Sequence, residues 1–129
     1  HSNATMLYGH IETEEEIIFQ TSTDDEQLYY KAGTIDFEVD GQPARLAVYR
    51  SPHHDELFLP FRDATSGNET YGAGRYLEPQ ELGSGELLVD FNLAYNPFCA
   101  YSDSYSCPLP PFENHLKIAI RAGEKAYKK

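Results

Sequence analysis

Two cysteines, Cys99 and Cys107, carry the most distinctive chemistry of this 129-residue chain, and seven residues separate them. Structural zinc sites use four ligands, commonly in closely spaced cysteine pairs, so we expect no metal here. A disulfide is a second interpretation, although cytoplasmic thiols are normally reduced. A third is a nucleophilic Cys99 with His115 as its base, but no neighbouring group would lower the thiol pKa. We favour two buried, inert thiols.

Two arginines, Arg75 and Arg121, indicate a binding site for a small anion. Both flank an irregular segment, residues 90–120, that is rich in proline, tyrosine and asparagine. The planar guanidinium matches a carboxylate in shape, and aromatic side chains such as Phe112 would roof a pocket over it. The sequence therefore predicts a small-molecule ligand, carboxylate or anionic, bound by Arg75, Arg121, Tyr95, Asn96, Asn114 and Tyr101.

The same polar residues have a purely structural interpretation. A long irregular segment leaves backbone groups without ladder partners, and Asn and Asp side chains commonly satisfy them. This interpretation is the favoured one, and a cavity beside Arg75 and Arg121 would argue against it.

Acid–base catalysis is the alternative function. Glu113, Asp90 and His115 are the candidate catalytic residues, because they flank or close the same segment. The chain has no G-x-S-x-G elbow, and its glycine-rich stretches lack a Walker lysine. We expect no cofactor, and we prefer a non-catalytic β domain that binds a small molecule or a partner over an enzyme with its acid or base in a pocket under residues 90–120.

Alternating apolar and polar residues predict a β-hairpin. Residues 34–39 place Ile35, Phe37 and Val39 on one face, and residues 44–50 return with Leu46 and Val48 inward and Arg45 and Ala47 outward. Between them, Asp40-Gly41 is a turn sequence, since glycine accepts a positive φ without a steric clash.

Shorter patterns predict further strands at residues 16–21, 27–32, 57–61, 69–77, 86–91 and 117–121. Pro60 would place residues 57–61 at a sheet edge or beside a bulge. Glycines at 72 and 74 indicate a bulge, a bend or a close approach of another backbone. The predicted fold is mainly β, an antiparallel barrel or sandwich, with a long ordered loop rich in Pro, Asn and Tyr before the last strand.

Composition limits the classes of partner. With 10 Lys plus Arg against 21 Asp plus Glu, the formal net charge is −11, which argues against nucleic acid and membrane surfaces as partners. No run reaches the roughly 18 apolar residues of a membrane helix, so we expect a cytoplasmic protein. Residues 1–4 read as an expression-tag remnant and residues 5–129 as a single domain. A homo-oligomer stays open, because residues 57–61 could form an exposed edge.

Two long motifs carry a resemblance to a known family. They are FRDATSGNETYGAGRYL, residues 61–77, and DFNLAYNPFCAYSDSYSCPLPPFENHLKIAIRAGEK, residues 90–125. In these motifs the chain resembles the domain of unknown function 1684 family over about residues 33–125, and departs from its pattern at Phe98, Phe112 and His115. The resemblance implies that members are longer at the N-terminus. It implies no established activity.

Overall fold

Seven β-strands and three short 3₁₀ helices make up a computed structural model of the protein, which describes residues 6–52, 56–82, 86–102 and 106–126, with side chains from Glu15 onward. The strands are β1 Met6–Gln20, β2 Glu26–Val39, β3 Gln42–Arg50, β4 Leu57–Phe61, β5 Arg75–Leu77, β6 Gln80–Glu81 and β7 Glu86–Asp90. The 3₁₀ helices are Phe91–Leu93, Phe98–Ala100 and Phe112–Asn114. The predicted tag remnant, residues 1–4, lies outside the described residues.

The strands form one antiparallel sheet in the order β5-β4-β3-β2-β1-β7-β6. The predicted mainly β, antiparallel fold is therefore confirmed. Within the described ranges the two ends of this order, β5 and β6, are not paired with each other, so the order is open.

The predicted hairpin is confirmed as β2 and β3. Asp40 and Gly41 have φ values of 52° and 81°, the left-handed values that a two-residue hairpin turn requires. Val39 pairs with Gln42 directly across the turn. The two predicted segments 27–32 and 34–39 are one continuous strand, β2, with a register shift between Lys31 and Gly33.

One face of the sheet carries the main hydrophobic core. Its buried side chains come from β2, β3, β4, β5, β7 and the residues that follow β7, so the strand faces converge on a single interior. The largest members include Ile35, Phe37, Val39, Leu46, Leu59, Phe61, Leu87 and Phe91. The Phe91 ring lies 5.5 Å from Phe37 and 5.4 Å from Phe61, which ties the two halves of the sheet together.

A smaller cluster on the opposite face corrects one predicted orientation. Ala47 was predicted to point outward. Its side chain does point away from the main core, but it is buried in the second cluster with Phe19 and Tyr49. The ring of Phe19 meets Tyr49 edge-on at 4.8 Å. The second face of β3 is therefore covered by protein, which alternation alone does not indicate.

The prediction that Pro60 lies at an edge or beside a bulge is wrong about the edge. β4 lies between β3 and β5, and Pro60 pairs with Tyr76 of β5. On the β3 side the ladder stops at Tyr49 and Phe58, before it reaches Pro60. Proline is tolerated inside the sheet because the Asn114 side chain takes over the hydrogen bonding at this point, as described below.

Two other predicted strands differ from the structure. Of residues 69–77, only Arg75–Leu77 is a strand, and the glycine at 74 marks the close approach of another backbone: a Cβ there would lie 2.5 Å from the Phe61 carbonyl oxygen. Residues 117–118 form a bend and residues 119–121 have no regular secondary structure, so the predicted last strand is wrong. Buried side chains, rather than a ladder, hold this segment in place.

Candidate ligand-binding site

The structure joins Cys99 and Cys107 in a disulfide, with their Cα atoms 6.3 Å apart. The prediction of two inert thiols is therefore wrong, because it weighed the cellular compartment above the short, turn-rich spacing. Residues 107–109 run beside the end of β1, where the Ser22 amide donates to the Cys107 carbonyl at 2.9 Å. The disulfide also removes Cys99 as a nucleophile and as a metal ligand.

Reduction of this disulfide should lower the free energy of unfolding by about 2–3 kcal/mol, the loop-closure value for a bridge that spans eight residue steps. Urea titrations of the wild type with and without a reductant measure the change. The variant Cys99→Ser/Cys107→Ser should already show the lower stability and respond to no reductant. A wild-type midpoint that reductant leaves unchanged would contradict the assignment.

Arg75, the first predicted ligand-binding residue, lies in the interior with none of its surface exposed. Its Nη1 donates to the Ala122 carbonyl at 2.5 Å and its Nη2 to the Ile120 carbonyl at 2.7 Å. Nη2 also lies 3.7 Å from Asp63, whose Oδ2 accepts the Ile120 amide at 2.5 Å. The guanidinium therefore binds the chain's own backbone where a carboxylate ligand was predicted.

Arg121 lies apart from that interior position, at the surface. Its side chain is 53% exposed, and its Nε is 3.6 Å from a carboxylate oxygen of Glu69. An exposed pair of this kind contributes little to stability, because water screens it.

Asn114 is a buried bridge between β3 and β4. Its Oδ1 accepts the Ala47 amide at 2.8 Å, and its Nδ2 donates to the carbonyls of Ala47 at 2.9 Å and Pro60 at 2.7 Å. Pro60 has no N–H to donate to β3, and the side-chain amide of Asn114 makes the hydrogen bonds between the two strands instead. Like Arg75, this predicted ligand-binding residue is occupied within the fold.

Glu113, a catalytic candidate, contacts two residues of the sheet. Tyr49 donates to its Oε2 at 2.5 Å and Lys31 Nζ to its Oε1 at 2.9 Å. Partial burial acts to raise the pKa of Glu113, but the hydrogen bonds from Tyr49 and Lys31 outweigh it, so the pKa lies below its usual range. A general acid needs the opposite shift.

A carboxyl group with a lowered folded-state pKa stabilises the protein above its unfolded pKa, and that stability is lost as pH falls through the folded value. Glu113→Gln should therefore be less stable than the wild type at pH 7, and the difference should shrink as pH falls below the unfolded pKa of about 4.3. We expect at most about 1 kcal/mol, since solvent screens a partly exposed pair. Urea unfolding across pH, with the exposed Glu38→Gln as a matched control, measures this; a pH-independent difference would contradict it.

Asp90 and His115 have separate local roles. Asp90 ends β7, and its Oδ1 accepts the Asn92 amide at 3.0 Å, which caps the 3₁₀ helix Phe91–Leu93. His115 Nε2 lies 3.0 Å from the Pro110 carbonyl oxygen. His115 also lines a cleft of about 320 Å³ with Arg62, Ala73, Leu109 and Pro110, which we call the Arg62–His115 cleft. Asp90 and Glu113 do not line it.

A second cleft, of about 220 Å³, lies beside the disulfide. We call it the aromatic cleft, and its lining residues are Tyr76, Tyr95, Asn96, Pro97, Phe98, Ser106, Cys107 and Pro108. Backbone bonds of 2.8 and 2.9 Å pair Tyr76 with Tyr95 and form one wall. The Tyr76 hydroxyl donates to the Pro108 carbonyl at 2.5 Å, which ties that wall to the opposite one.

Asn96 is the polar group of this cleft. It is 4% exposed, and its Nδ2 donates to the Lys125 carbonyl at 3.0 Å and to the Tyr101 hydroxyl at 3.2 Å. Its Oδ1 is a buried acceptor that has no hydrogen-bond partner among the described residues. Buried polar atoms are nearly always paired, so this unpaired oxygen, on a residue that lines the cleft, is a candidate acceptor for a ligand group.

Two carboxylates contact residues at the aromatic cleft. The Tyr95 hydroxyl donates to Glu78 at 3.0 Å, and Glu124 accepts the Asn96 amide at 2.7 Å and the Tyr101 hydroxyl. Burial, followed by the hydrogen bond to Glu78, raises the pKa of Tyr95, so its hydroxyl stays protonated.

The structure thus brings together three of the predicted ligand-binding residues, Tyr95, Asn96 and Tyr101, and places Arg75 and Asn114 elsewhere. Sequence reasoning missed Tyr76 as a cleft residue, although its position next to Arg75 in a predicted strand could have indicated it. It also missed Glu78 and Glu124, whose approach to the cleft depends on contacts between distant parts of the chain.

No group of three or more His, Cys, Asp or Glu side chains in the described part of the chain is placed to hold a metal ion. Across the described ranges, no helix combines the length and the apolar character needed to cross a membrane.

Comparisons with known proteins identify a family for the chain. The model of the family described as "Protein of unknown function (DUF1684)" matches residues 3–125, a longer region than the resemblance in the two motifs indicated. No curated protein matches the chain significantly. A solution NMR structure of an uncharacterized protein from Haloarcula marismortui is 42% identical, with a TM-score of 0.72, over 93% of this chain and 70% of that one. This chain therefore belongs to the DUF1684 family, whose function is unknown.

Proposed function

We propose that this protein is a small β domain that binds a small molecule in the aromatic cleft and does not transform it. The observation that carries the proposal is the buried Oδ1 of Asn96, which has no hydrogen-bond partner among the described residues. Asn96 lines a cleft that is large enough for a small ligand. Small-molecule sites are typically apolar and aromatic clefts with a few polar groups that orient the ligand. The aromatic cleft has this composition.

The walls of the cleft support the same proposal. The disulfide and the Tyr76–Pro108 hydrogen bond connect them, so ligand binding costs little conformational entropy of the protein. The acid–base candidates weigh against catalysis at this place, since neither Glu113, Asp90 nor His115 lines the aromatic cleft.

We also propose that the sheet rolls into a barrel-like form rather than a sandwich. In support, Arg75–Leu77 pairs with β4 at one end of the sheet order, and Gln80–Glu81 pairs with β7 at the other end. Three Cα steps join Leu77 to Gln80, a span of at most about 11 Å. The two ends of the order must therefore come close together.

A thermal-shift screen against cellular metabolites tests the binding function. A compound that binds only the folded state raises the melting temperature. Phe98→Ala should abolish the shift produced by a hit, because Phe98 lines the aromatic cleft. Phe112→Ala is the matched control, since Phe112 is also an exposed phenylalanine after a proline but does not line the cleft, and it should leave the shift intact. Hits that Phe98→Ala leaves unaffected would contradict the proposal.

An enzyme that acts on an anionic substrate is the second candidate, located at the Arg62–His115 cleft. The observation in its favour is that Arg62 Nε is buried without a hydrogen-bond partner among the described residues, and that His115, a residue type often used as a general acid or base, lines the same cleft. Carboxylate hits whose shift is lost in Arg62→Met, with turnover lost in His115→Ala, would favour this candidate over the first.

Partners and location stay proposals. The net charge of −11 supports a protein that avoids nucleic acid and membrane surfaces. We propose a cytoplasmic location, in which the Cys99–Cys107 disulfide would be an exception to the usual reduced state of cytoplasmic thiols. Cell fractionation combined with alkylation trapping of the two cysteines tests both the location and the redox state. Self-association is no longer supported by β4, which lies inside the sheet, but the exposed Leu93 and Phe112 keep it open to sedimentation measurements.

A further inference from the structure

We propose that the aromatic cleft selects a single-ring ligand, neutral or cationic, that carries an N–H donor, and that it rejects carboxylates. The inference rests on the proposed binding function and specifies its ligand class. Three features of the cleft support it: the polarity of the one buried unpaired atom among its described residues, the charge of the side chains that contact it, and its size and aromatic lining.

The buried unpaired atom is an acceptor. Asn96 Oδ1 is that atom, and the donors of the same side chain are already used by Lys125 and Tyr101. A ligand N–H would satisfy the oxygen. A carboxylate has no donor, so it would leave the Asn96 oxygen unpaired, and the two acceptors would repel each other.

The nearest charged contacts of two cleft residues are acidic. Glu78 accepts the Tyr95 hydroxyl and Glu124 accepts the Asn96 backbone amide, and none of the eight described lining residues is basic. Carboxylates bonded to residues of the cleft attract a cation bound there and repel an anion. An ammonium or amidinium would also find the aromatic rings favourable.

The size of the cleft limits the ligand. A cavity of about 150 Å³ is known to hold benzene, so about 220 Å³ fits one six-membered ring with a small substituent. The rings of Tyr76 and Tyr95 meet edge-on at 5.9 Å, and Phe98 lines the cleft beside them. These apolar surfaces suit a flat ring.

Four single-ring probes of equal size separate the requirements. Benzamidine is a cation with N–H donors, benzamide is neutral with an N–H donor, acetophenone is neutral without a donor, and benzoate is an anion without one. Titration of ¹⁵N-labelled wild-type protein, followed by the amide signals of Tyr95, Phe98 and Cys107, gives a Kd for each. We expect benzamidine and benzamide to bind at least about tenfold more tightly than acetophenone and benzoate, the factor expected when a buried acceptor stays unpaired.

The variant Glu78→Gln tests the charge separately, because glutamine can still accept the Tyr95 hydroxyl. It should weaken benzamidine several-fold and leave benzamide unchanged, while Glu38→Gln, a distant exposed acid on β2, should alter neither.

The outcomes distinguish the two levels of the proposal. Benzoate or acetophenone binding in the aromatic cleft as tightly as benzamide would overturn the ligand class and leave the binding function standing. If none of the four probes moves these amide signals, the ligand class is overturned. If the metabolite screen also yields no compound that binds in the cleft, the binding function fails as well.

Discussion

Arg75→Ala lowers the free energy of unfolding by about 3–5 kcal/mol, the cost of removing one partner of a buried ion pair. The substitution leaves Asp63, buried on all sides, without its cation, and leaves the carbonyls of Ile120 and Ala122 without their donors. Urea unfolding at pH 7 measures the loss. If Arg75→Ala does not fold, Arg75→Lys keeps the charge but not the planar fork, and it should still lose a substantial part of the stability.

Arg121→Ala is the matched control for this result. Both arginines lie next to a carboxylate, but the Arg121 side chain is 53% exposed and its nearest Glu69 oxygen is 3.6 Å away. We expect a change below about 1 kcal/mol. Equal losses in the two variants would contradict a specifically structural role for Arg75.

Asn114→Ala lowers the free energy of unfolding by about 3 kcal/mol, since it leaves three buried backbone groups of β3 and β4 unpaired. Urea titration measures the loss. Asn92→Ala is the control, because Asn92 is an exposed asparagine in another 3₁₀ helix, and it should change the stability by less than about 0.5 kcal/mol. A loss of that small size in Asn114→Ala would contradict the bridge between Ala47 and Pro60.

The variant Asn114→Asp should make the free energy of unfolding depend on pH at the same bridge. Its carboxylate would face the carbonyls of Ala47 and Pro60, so its folded pKa should rise above the unfolded value of about 3.9. A group with a raised pKa contributes its stability below the unfolded pKa and loses it as pH rises through the folded value. Relative to the wild type, this variant should therefore be least stable at neutral pH and recover towards pH 4.

The β2–β3 hairpin could be predicted because its information is local. Asp40-Gly41 sets the turn and the alternation from Ile35 to Val39 sets the buried face, so each choice depends on residues a few positions apart. The mainly antiparallel class followed from the same kind of pattern.

The position of β4 and the end of the chain could not be predicted in this way. Pro60 lies inside the sheet, where Asn114, 54 residues away, donates to its carbonyl and bridges it to Ala47. The apolar pattern of residues 117–121 resembles a strand, but Arg75 and Asp63 bind that backbone from 45 and 57 residues away. Such contacts leave no periodic trace in the sequence.

The candidate site was predicted in part. Tyr95, Asn96 and Tyr101 were chosen as polar and aromatic residues of an irregular segment, and they do lie together. Arg75 was chosen for its charge, and sequence alone does not tell whether a guanidinium meets a ligand or a backbone carbonyl. The disulfide could not be predicted from sequence alone either, because the spacing of Cys99 and Cys107 allowed it but did not require it.

The amide chemical-shift map of the wild-type protein with a stabilising metabolite tests the central claim most directly. We expect the largest shifts on residues of the aromatic cleft, at Tyr95, Asn96, Phe98 and Cys107. Largest shifts at Ala73, Leu109 and His115 would contradict it, because they would locate the ligand in the Arg62–His115 cleft instead.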